Sequence, residues 1–284
     1  MKVFNMVNDL QKFVNTVNFS PLGFVPTMGS LHNGHLSLVN SALSLCPLVC
    51  VSIYVNPTQF NDKNDLKNYP RCLDDDLALL RTILRENDII FTPDDKEVYP
   101  KPDTREFHFG NLDNVMEARH RPGHFNGVAQ VVSRLFDIVK PQFAFFGQKD
   151  FQQVAVIKEL VRQTGSNVKI IVKPIIREKD GLAMSSRNKL IEPEIRRYAG
   201  VIFETILKAS IMIREFDIPY ITYFVRENIE KNAGFKVEYF NIVDDRELMP
   251  VSFKREMLTG RKYFGCIAVK AGLIRLIDNI EIPL

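Results

Sequence analysis

Residues 22–38 read LGFVPTMGSLHNGHLSL, and no other stretch limits the fold as tightly. A short apolar run, 22–25, meets a Pro-Thr-Met-Gly turn, after which Leu38, Ala42 and Leu45 take up helical spacing. The segment therefore reads as strand, glycine turn, helix. Junctions of this kind bind nucleotides. Gly29 and Gly34 allow backbone close to a phosphate, and the helix that follows offers unpaired N–H groups and the positive end of its dipole. His32 and His35, three residues apart at the helix entrance, sit about one turn apart and face the same anion. Two imidazoles suit a reaction in which charge builds on a phosphate and pyrophosphate leaves, because each donates a hydrogen bond and one can supply a proton near neutral pH. Histidines that only cap a helix or line a core would show the same letters; the strand and glycine turn directly before HxGH favour a functional pair. A zinc pair fits less well, since the HExxH type of site uses i, i+4 spacing and a third ligand.

Around this junction the first half of the chain alternates apolar strands with helical patterns, which predicts a doubly wound parallel sheet with helices on both faces. Strands are expected at 49–55, 88–91, 143–146 and 168–172, and helices at 73–85, 127–139 and 151–162. Asn126 is the expected cap of the helix at 127–139. Residues 92–110, rich in proline and charge, read as a surface excursion closed by RPGHF at 121–125. Beyond Pro174 the character changes: REKDGLAMSSRN is polar, a helix is expected from Pro193 through Ala209 and another at 218–231, and 236–243, 265–269 and 273–277 read as strands. The expected organisation is an α/β domain at 1–175 and a smaller α+β domain at 176–284 that closes over the nucleotide.

At 284 residues and 45% hydrophobic side chains the chain can fill two packed cores. A net charge of +3 is too dilute to argue for nucleic acid or an anionic membrane. Cys46, Cys50, Cys72 and Cys266 form neither a CxxC pair nor a zinc-like spacing and read as reduced thiols of a cytoplasmic protein; no metal framework follows. Polar residues near the start break any signal-like apolar region, and the most apolar stretch, 42–55, contains Pro47 and is too short to span a membrane.

Other groups gather in the loops after strands, where an open parallel sheet binds its ligands. FGQKDFQQ at 146–153 repeats the logic of the first turn: Gly147 ends a strand, Lys149 reaches for a phosphate, and Asp150 sits where a helix start favours an acid or a ribose hydroxyl. MSSRN at 184–188 places two hydroxyls and a guanidinium in a polar loop, a phosphate clamp if it meets a nucleotide. Asn56 and Gln59 in VNPTQF carry amides suited to a hydroxyl-bearing substrate. His124, beside Asn126, can point inward at a substrate carboxylate. Asp74, Asp75 and Asp76 read as dipole-matching acids at a helix start. If Mg²⁺ takes part it rides on ATP phosphates, with Asp75 or Asp76 reaching it at most through water.

Taken in order, PTMGSLHNGH, VNPTQF, YPR with DDD, RPGHF, FGQKDFQQ and MSSRN resemble the pantothenate synthetase (pantoate–beta-alanine ligase) family of the HxGH nucleotidyltransferase superfamily. HxGH alone is widely shared; its combination with VNPTQF and MSSRN is specific. The resemblance runs from about residue 23 to 188 and implies a Rossmann-like domain, ATP and Mg²⁺, pantoate and beta-alanine as substrates, and a cytoplasmic homodimer. It implies that pantoate attacks ATP to give pantoyl adenylate and that beta-alanine then displaces AMP. Carried over by position, Met28, Gly29, Ser30, Leu31, His32, Asn33, Gly34 and His35 bind ATP, with His35 as proton donor and His32 beside it. Gly147, Gln148, Lys149, Asp150, Ile176, Met184, Ser185, Ser186 and Arg187 complete the nucleotide site, and Lys149, Ser185, Ser186 and Arg187 take phosphates. Gln59 and Gln153 hold pantoate, Gln59 also lying near beta-alanine. Gln148 and Phe151 stand where the family often has Glu and Tyr. Three rival readings are a nucleotidyltransferase that stops at a nucleotidyl product, which calls for a basic acceptor site instead of Gln59 and Gln153, a class I synthetase fragment or RNA-binding module, against which the low net charge argues, and a catalytically dead nucleotide sensor, which steady-state turnover would reject.

Overall fold

The computed structural model of the chain describes residues 1–17, 19–60 and 63–283. It divides into two compact units, one of Met1–Phe109, Arg121–Gly147 and Gln153–Pro174, the other of Gly110–His120, Gln148–Gln152 and the chain from Ile175 on.

The first unit is built on six strands: β1 (Lys2–Phe4), β2 (Leu22–Thr27), β3 (Leu48–Ile53), β4 (Ile89–Phe91), β5 (Phe143–Gly147) and β6 (Lys169–Lys173). All pairings are parallel, in the order β1-β4-β3-β2-β5-β6. The chain winds outward from β2 through β3 to β4, then returns to lay β5 on the other flank of β2. The order thus reverses beside β2, and the crevice at the carboxyl ends of β2 and β5 is the switch point where such sheets receive ligands. Gly23 pairs with Phe143 and Phe24 with Ala144. The central strands are apolar on both faces, as a sheet covered on both sides requires. Helix Asn33–Leu45 lays Leu38, Val39 and Ala42 in one buried cluster with Val25, Val51, Ile90 and Phe145. Burying each large aliphatic of that set contributes about 1.5–3 kcal/mol, which seats the first turn of the helix firmly on β2.

Several elements depart from the sequence expectation. The edge strand β1 and the helix Val7–Val17 have no counterpart in it; a three-residue strand is too short to show a period, and the helix buries only Leu10 fully. The helix expected to reach 85 ends at Arg81, because the Arg85 guanidinium turns back to Asp88 and the Cys46 carbonyl. Residues 92–110 are less of an excursion than their composition suggests. They contain a short helix, Asp95–Val98, and Gln130 Nε2 donates to the Asp103 and Arg105 carbonyls. Asn126 does not cap: the helix runs His124–Val139 from a left-handed Gly123, and Asn126 Oδ1 accepts from Phe107 N–H.

The second unit carries an antiparallel sheet of β7 (Phe235–Asp244), β8 (Tyr263–Ala271) and β9 (Ile274–Ile282), in that order. Helices Val201–Met212 and Ile218–Glu230 bury Ile202, Ile206, Ile221, Val225 and Ile229 with Val237, Ile267 and Leu276 of the sheet. The single helix expected from Pro193 is broken into Pro193–Arg196 and Val201–Met212. Arg196 is drawn to Glu178 and Asp180, and Gly200 is a poor helix former. Among the described residues no helix is long and apolar enough to cross a membrane.

Candidate functional site

The turn after β2 is held by side chains on both sides. Gly29 has φ 78, a conformation that disfavours other residues, and a Cβ there would come within 2.9 Å of Asp76 Oδ2. Asp76, 3% exposed, accepts from Ser30 N–H (2.8 Å) and Leu31 N–H (2.6 Å) through its two carboxylate oxygens. The acid expected merely to match a helix dipole instead fixes the glycine turn to the helix Leu73–Arg81.

The helix Asn33–Leu45 begins with a capping box made of histidines. Gly34 N–H donates to His32 Nδ1 (3.1 Å) and His32 N–H to His35 Nδ1 (3.3 Å), so imidazole nitrogens do what Ser and Glu usually do in this motif. Two consequences follow. Backbone donors expected to be unpaired and open to an anion are engaged here by Asp76 and the imidazoles, a correction to the sequence reading. Because each Nδ1 accepts, the proton of each neutral ring resides on Nε2, and the two rings lie with centroids 4.1 Å apart. The pair caps the helix through its Nδ1 edges and carries its ring protons on the Nε2 edges.

Gln59 ends the short helix Pro57–Gln59 after β3 and is 8% exposed. Its Nε2 lies 2.8 Å from Met28 Sδ, and Asn56 Nδ2 donates to its Oε1 (3.4 Å) and to the Gly127 carbonyl (3.1 Å). Asn56 Oδ1 accepts from Thr58 N–H and the Thr58 and Tyr99 hydroxyls. The Asn56 amide is therefore saturated by protein groups, and this residue, expected to meet substrate, braces Gln59 instead. His124 is likewise engaged: its Nδ1 lies 2.7 Å from the Gln59 carbonyl, which can only accept, so Nδ1 carries the proton and Nε2 accepts from Arg121 Nη1 (3.1 Å). It is a strut for the Gln59 backbone. Gly127 permits this packing, since a Cβ there would sit 2.5 Å from the Thr58 carbonyl oxygen and 2.9 Å from Gln59 Cα. Gln153 lies half-buried in the first turn of helix Phe151–Thr164, whereas its neighbour Gln152 is 1% exposed and donates to the Leu112 and Val115 carbonyls.

In the second unit the FGQKD turn and the MSSRN loop are both tied to β9. Lys149 Nζ rests 3.4 Å from Asp150 Oδ1, a half-exposed contact of little strength that a phosphate can replace. Asn279 Nδ2 donates to the Gln148 carbonyl (2.9 Å) and the Lys149 carbonyl (3.1 Å), and its Oδ1 accepts from Gln148 Nε2 (3.3 Å). Asp278, beside it, grips Arg177 through two bonds of 2.6 and 3.0 Å. Burial pushes the Asp278 carboxyl up, with Arg177 and then Lys149 opposing. Arg177 opens a hairpin: it bridges Ala183, Met184 N–H donates to the Ile176 carbonyl, and Ser185 Oγ accepts from Arg187 N–H to cap the turn Ser186–Leu190. The polar stretch read as a loop is thus a shaped element presenting Met184, Ser185 and Arg187 half-buried and Ser186 buried. Asp278 and Asn279 escaped the sequence reading. Two consecutive polar residues inside an apolar strand were the available signal, since one of them must face inward.

A parallel sheet with a glycine turn and paired histidines at its switch point defines an α/β enzyme that receives its ligand at the strand ends. The comparisons with known proteins are specific. The chain belongs to the pantoate-beta-alanine ligase family, whose model matches residues 2–281. It is 47% identical over 283 residues to the pantothenate synthetase of Bacteroides thetaiotaomicron, covering 99% of both chains. The solved pantothenate synthetase of Thermus thermophilus superposes with a TM-score of 0.91 at 37% identity, covering 100% of both chains. The pantoate-beta-alanine ligase of Francisella tularensis, complexed with beta-gamma ATP and beta-alanine, gives a TM-score of 0.79 at 34% identity over 99% of this chain and 97% of that one.

Proposed function

We propose that this protein condenses pantoate with beta-alanine to pantothenate in two steps driven by ATP. A pantoate carboxylate oxygen attacks the α-phosphorus, the bond from that phosphorus to the bridging oxygen breaks, and pyrophosphate leaves. The beta-alanine amine then attacks the acyl carbon of pantoyl adenylate, AMP departs with the bonding pair, and the amine proton passes to solvent. No covalent enzyme intermediate is needed, so positioning and electrostatics carry the chemistry.

The observation that carries this reading is the histidine pair, two rings with centroids 4.1 Å apart whose Nδ1 atoms are both engaged in capping. Nε2–H of His32 and His35 are assigned to the phosphate oxygens as hydrogen-bond donors; with Nδ1 already accepting a backbone N–H, His35 stabilises charge on the departing pyrophosphate instead of protonating it, a correction to its expected role as proton donor. Met28, Gly29, Ser30, Leu31, Asn33 and Gly34 shape the wall against the nucleotide. Gly147, Gln148, Asp150, Ile176 and Met184 line its remainder, and Lys149, Ser185, Ser186 and Arg187 take phosphate charge. Gln59 and Gln153 orient pantoate. Mg²⁺ belongs to the substrate as MgATP; both oxygens of Asp76 accept backbone N–H bonds, which leaves this carboxylate poorly disposed to be a direct metal ligand. The working form is assigned as a cytoplasmic homodimer.

The test is product identity. Pyrophosphate should appear in a single turnover with ATP and pantoate alone, and AMP should accumulate only when beta-alanine is added. A stable nucleotidyl product with a phosphorylated acceptor, or AMP release independent of pantoate, rejects the reading.

A further inference from the structure

Asn279 lies on β9 outside every motif assigned to the reaction, yet it is 2% exposed and all the hydrogen-bonding atoms of its amide point at the FGQKD turn. Two donors on one amide nitrogen hold two successive carbonyls, those of Gln148 and Lys149, at 2.9 and 3.1 Å. Bonds to consecutive carbonyls fix the orientation of the peptide planes on either side of the Lys149 Cα, and therefore the direction in which its side chain leaves the backbone. The third bond, from Gln148 Nε2 to Asn279 Oδ1, closes the amide pair. The anchor is itself rigid. Asp278 accepts from Asn279 N–H at 2.8 Å while gripping Arg177 at the root of the hairpin that carries Ser185 and Arg187. Arg177 is stacked on Phe203 with its guanidinium carbon 3.7 Å from the ring centroid.

We propose that Asn279 is a positioning residue for Lys149, setting that ammonium for the phosphates from a frame shared with the Ser185–Arg187 hairpin. This rests on the assignment of Lys149 to the phosphates. Asn279 touches no reacting atom; it acts by restricting where the lysine can point. A displacement of about 1 Å of a group that stabilises transition-state charge costs up to about a hundredfold in rate.

The experiment is a double-mutant cycle on the full chain, reading pyrophosphate release with saturating pantoate as kcat and KM for ATP. Asn279→Asp keeps the shape of the side chain but removes both donors to the carbonyls; Asn279→Ala is the second variant, and Lys149→Ala the partner. The expected result is a loss of about tenfold or more in kcat/KM for ATP in Asn279→Asp, with KM for pantoate unchanged and a cooperative thermal transition retained at a lowered midpoint. In the Lys149→Ala background the same substitution should cost less than about twofold, because the lysine it positions is gone. Costs that multiply across the two sites, or wild-type kinetics in both Asn279 variants, overturn the proposal, as does failure of both to fold, which would make the residue structural. If Lys149→Ala itself releases pyrophosphate at the wild-type rate, the phosphate assignment of Lys149 fails instead, and the two failures are thereby told apart.

Discussion

Two strand-to-helix junctions, the one after β2 and the one after β5, share a sequence logic of glycine followed by polar groups, but they are held in different ways. After β2 the turn is secured largely by its own letters: His32 and His35 cap the helix they begin, and one outside carboxylate, Asp76, takes two backbone N–H groups. After β5 the turn relies on a residue far along the chain, Asn279, for the carbonyls around Lys149. A shared sequence logic therefore does not imply equal rigidity. The first junction carries its groups in a locally fixed geometry, while the second can be tuned from the C-terminal sheet without touching the residues that meet substrate.

The sharpest way to break this comparison is to separate capping from chemistry at the first junction. His35→Gln restores the usual capping-box residue at that position, so the fold should keep its stability to within about 0.5 kcal/mol. Pyrophosphate release should nevertheless fall by about a hundredfold or more, since a glutamine whose amide oxygen caps the helix does not place a donor where the imidazole Nε2–H meets developing charge. Single-turnover rates near wild type in this variant would remove His35 from the chemistry. Next in size is Asp76→Asn, which leaves a buried acceptor weakened and places an N–H against the N–H groups of Ser30 or Leu31. A loss of about 1–3 kcal/mol in chemical denaturation, together with a higher KM for ATP, is expected. A fall in stability with ATP kinetics unchanged would mean the turn does not serve the nucleotide. The smallest effect belongs to the second junction: Gln148→Glu exchanges the donor facing Asn279 Oδ1 for an acceptor, while the two bonds from Asn279 Nδ2 remain. About a threefold rise in KM for ATP is expected. An effect larger than that of Asp76→Asn would reverse the order of rigidity argued for the two turns.

What is legible in the sequence follows the same division. The strands β2, β3, β5 and β6, the antiparallel sheet and the helices over it can be read because their apolar pattern is local and long, and β4, though only three residues, because all three are apolar. The HxGH pair can be read for the same reason, although its capping role displaces the open N–H groups expected there. Asn56 and His124 read as substrate groups because residue type says what a side chain can bond to, not whether protein atoms have already bonded to it. Tyr99, Gly127 and the Gln59 carbonyl, which saturate them, are brought in by the tertiary fold. Asp76 is visible as an acid at a helix start, but its true partners lie 45 and 46 residues away. Asn279 has no local signal beyond being polar in an apolar strand.

The distance between Asn279 and the turn it holds has a consequence for how the protein comes into being. The separation from Lys149 is 130 residues. At typical synthesis rates the ribosome needs on the order of ten seconds to bridge that gap. Throughout that interval the parallel sheet can already be assembling while the lysine loop waits for its clamp, so the order of synthesis leaves the second junction the later of the two to be fixed.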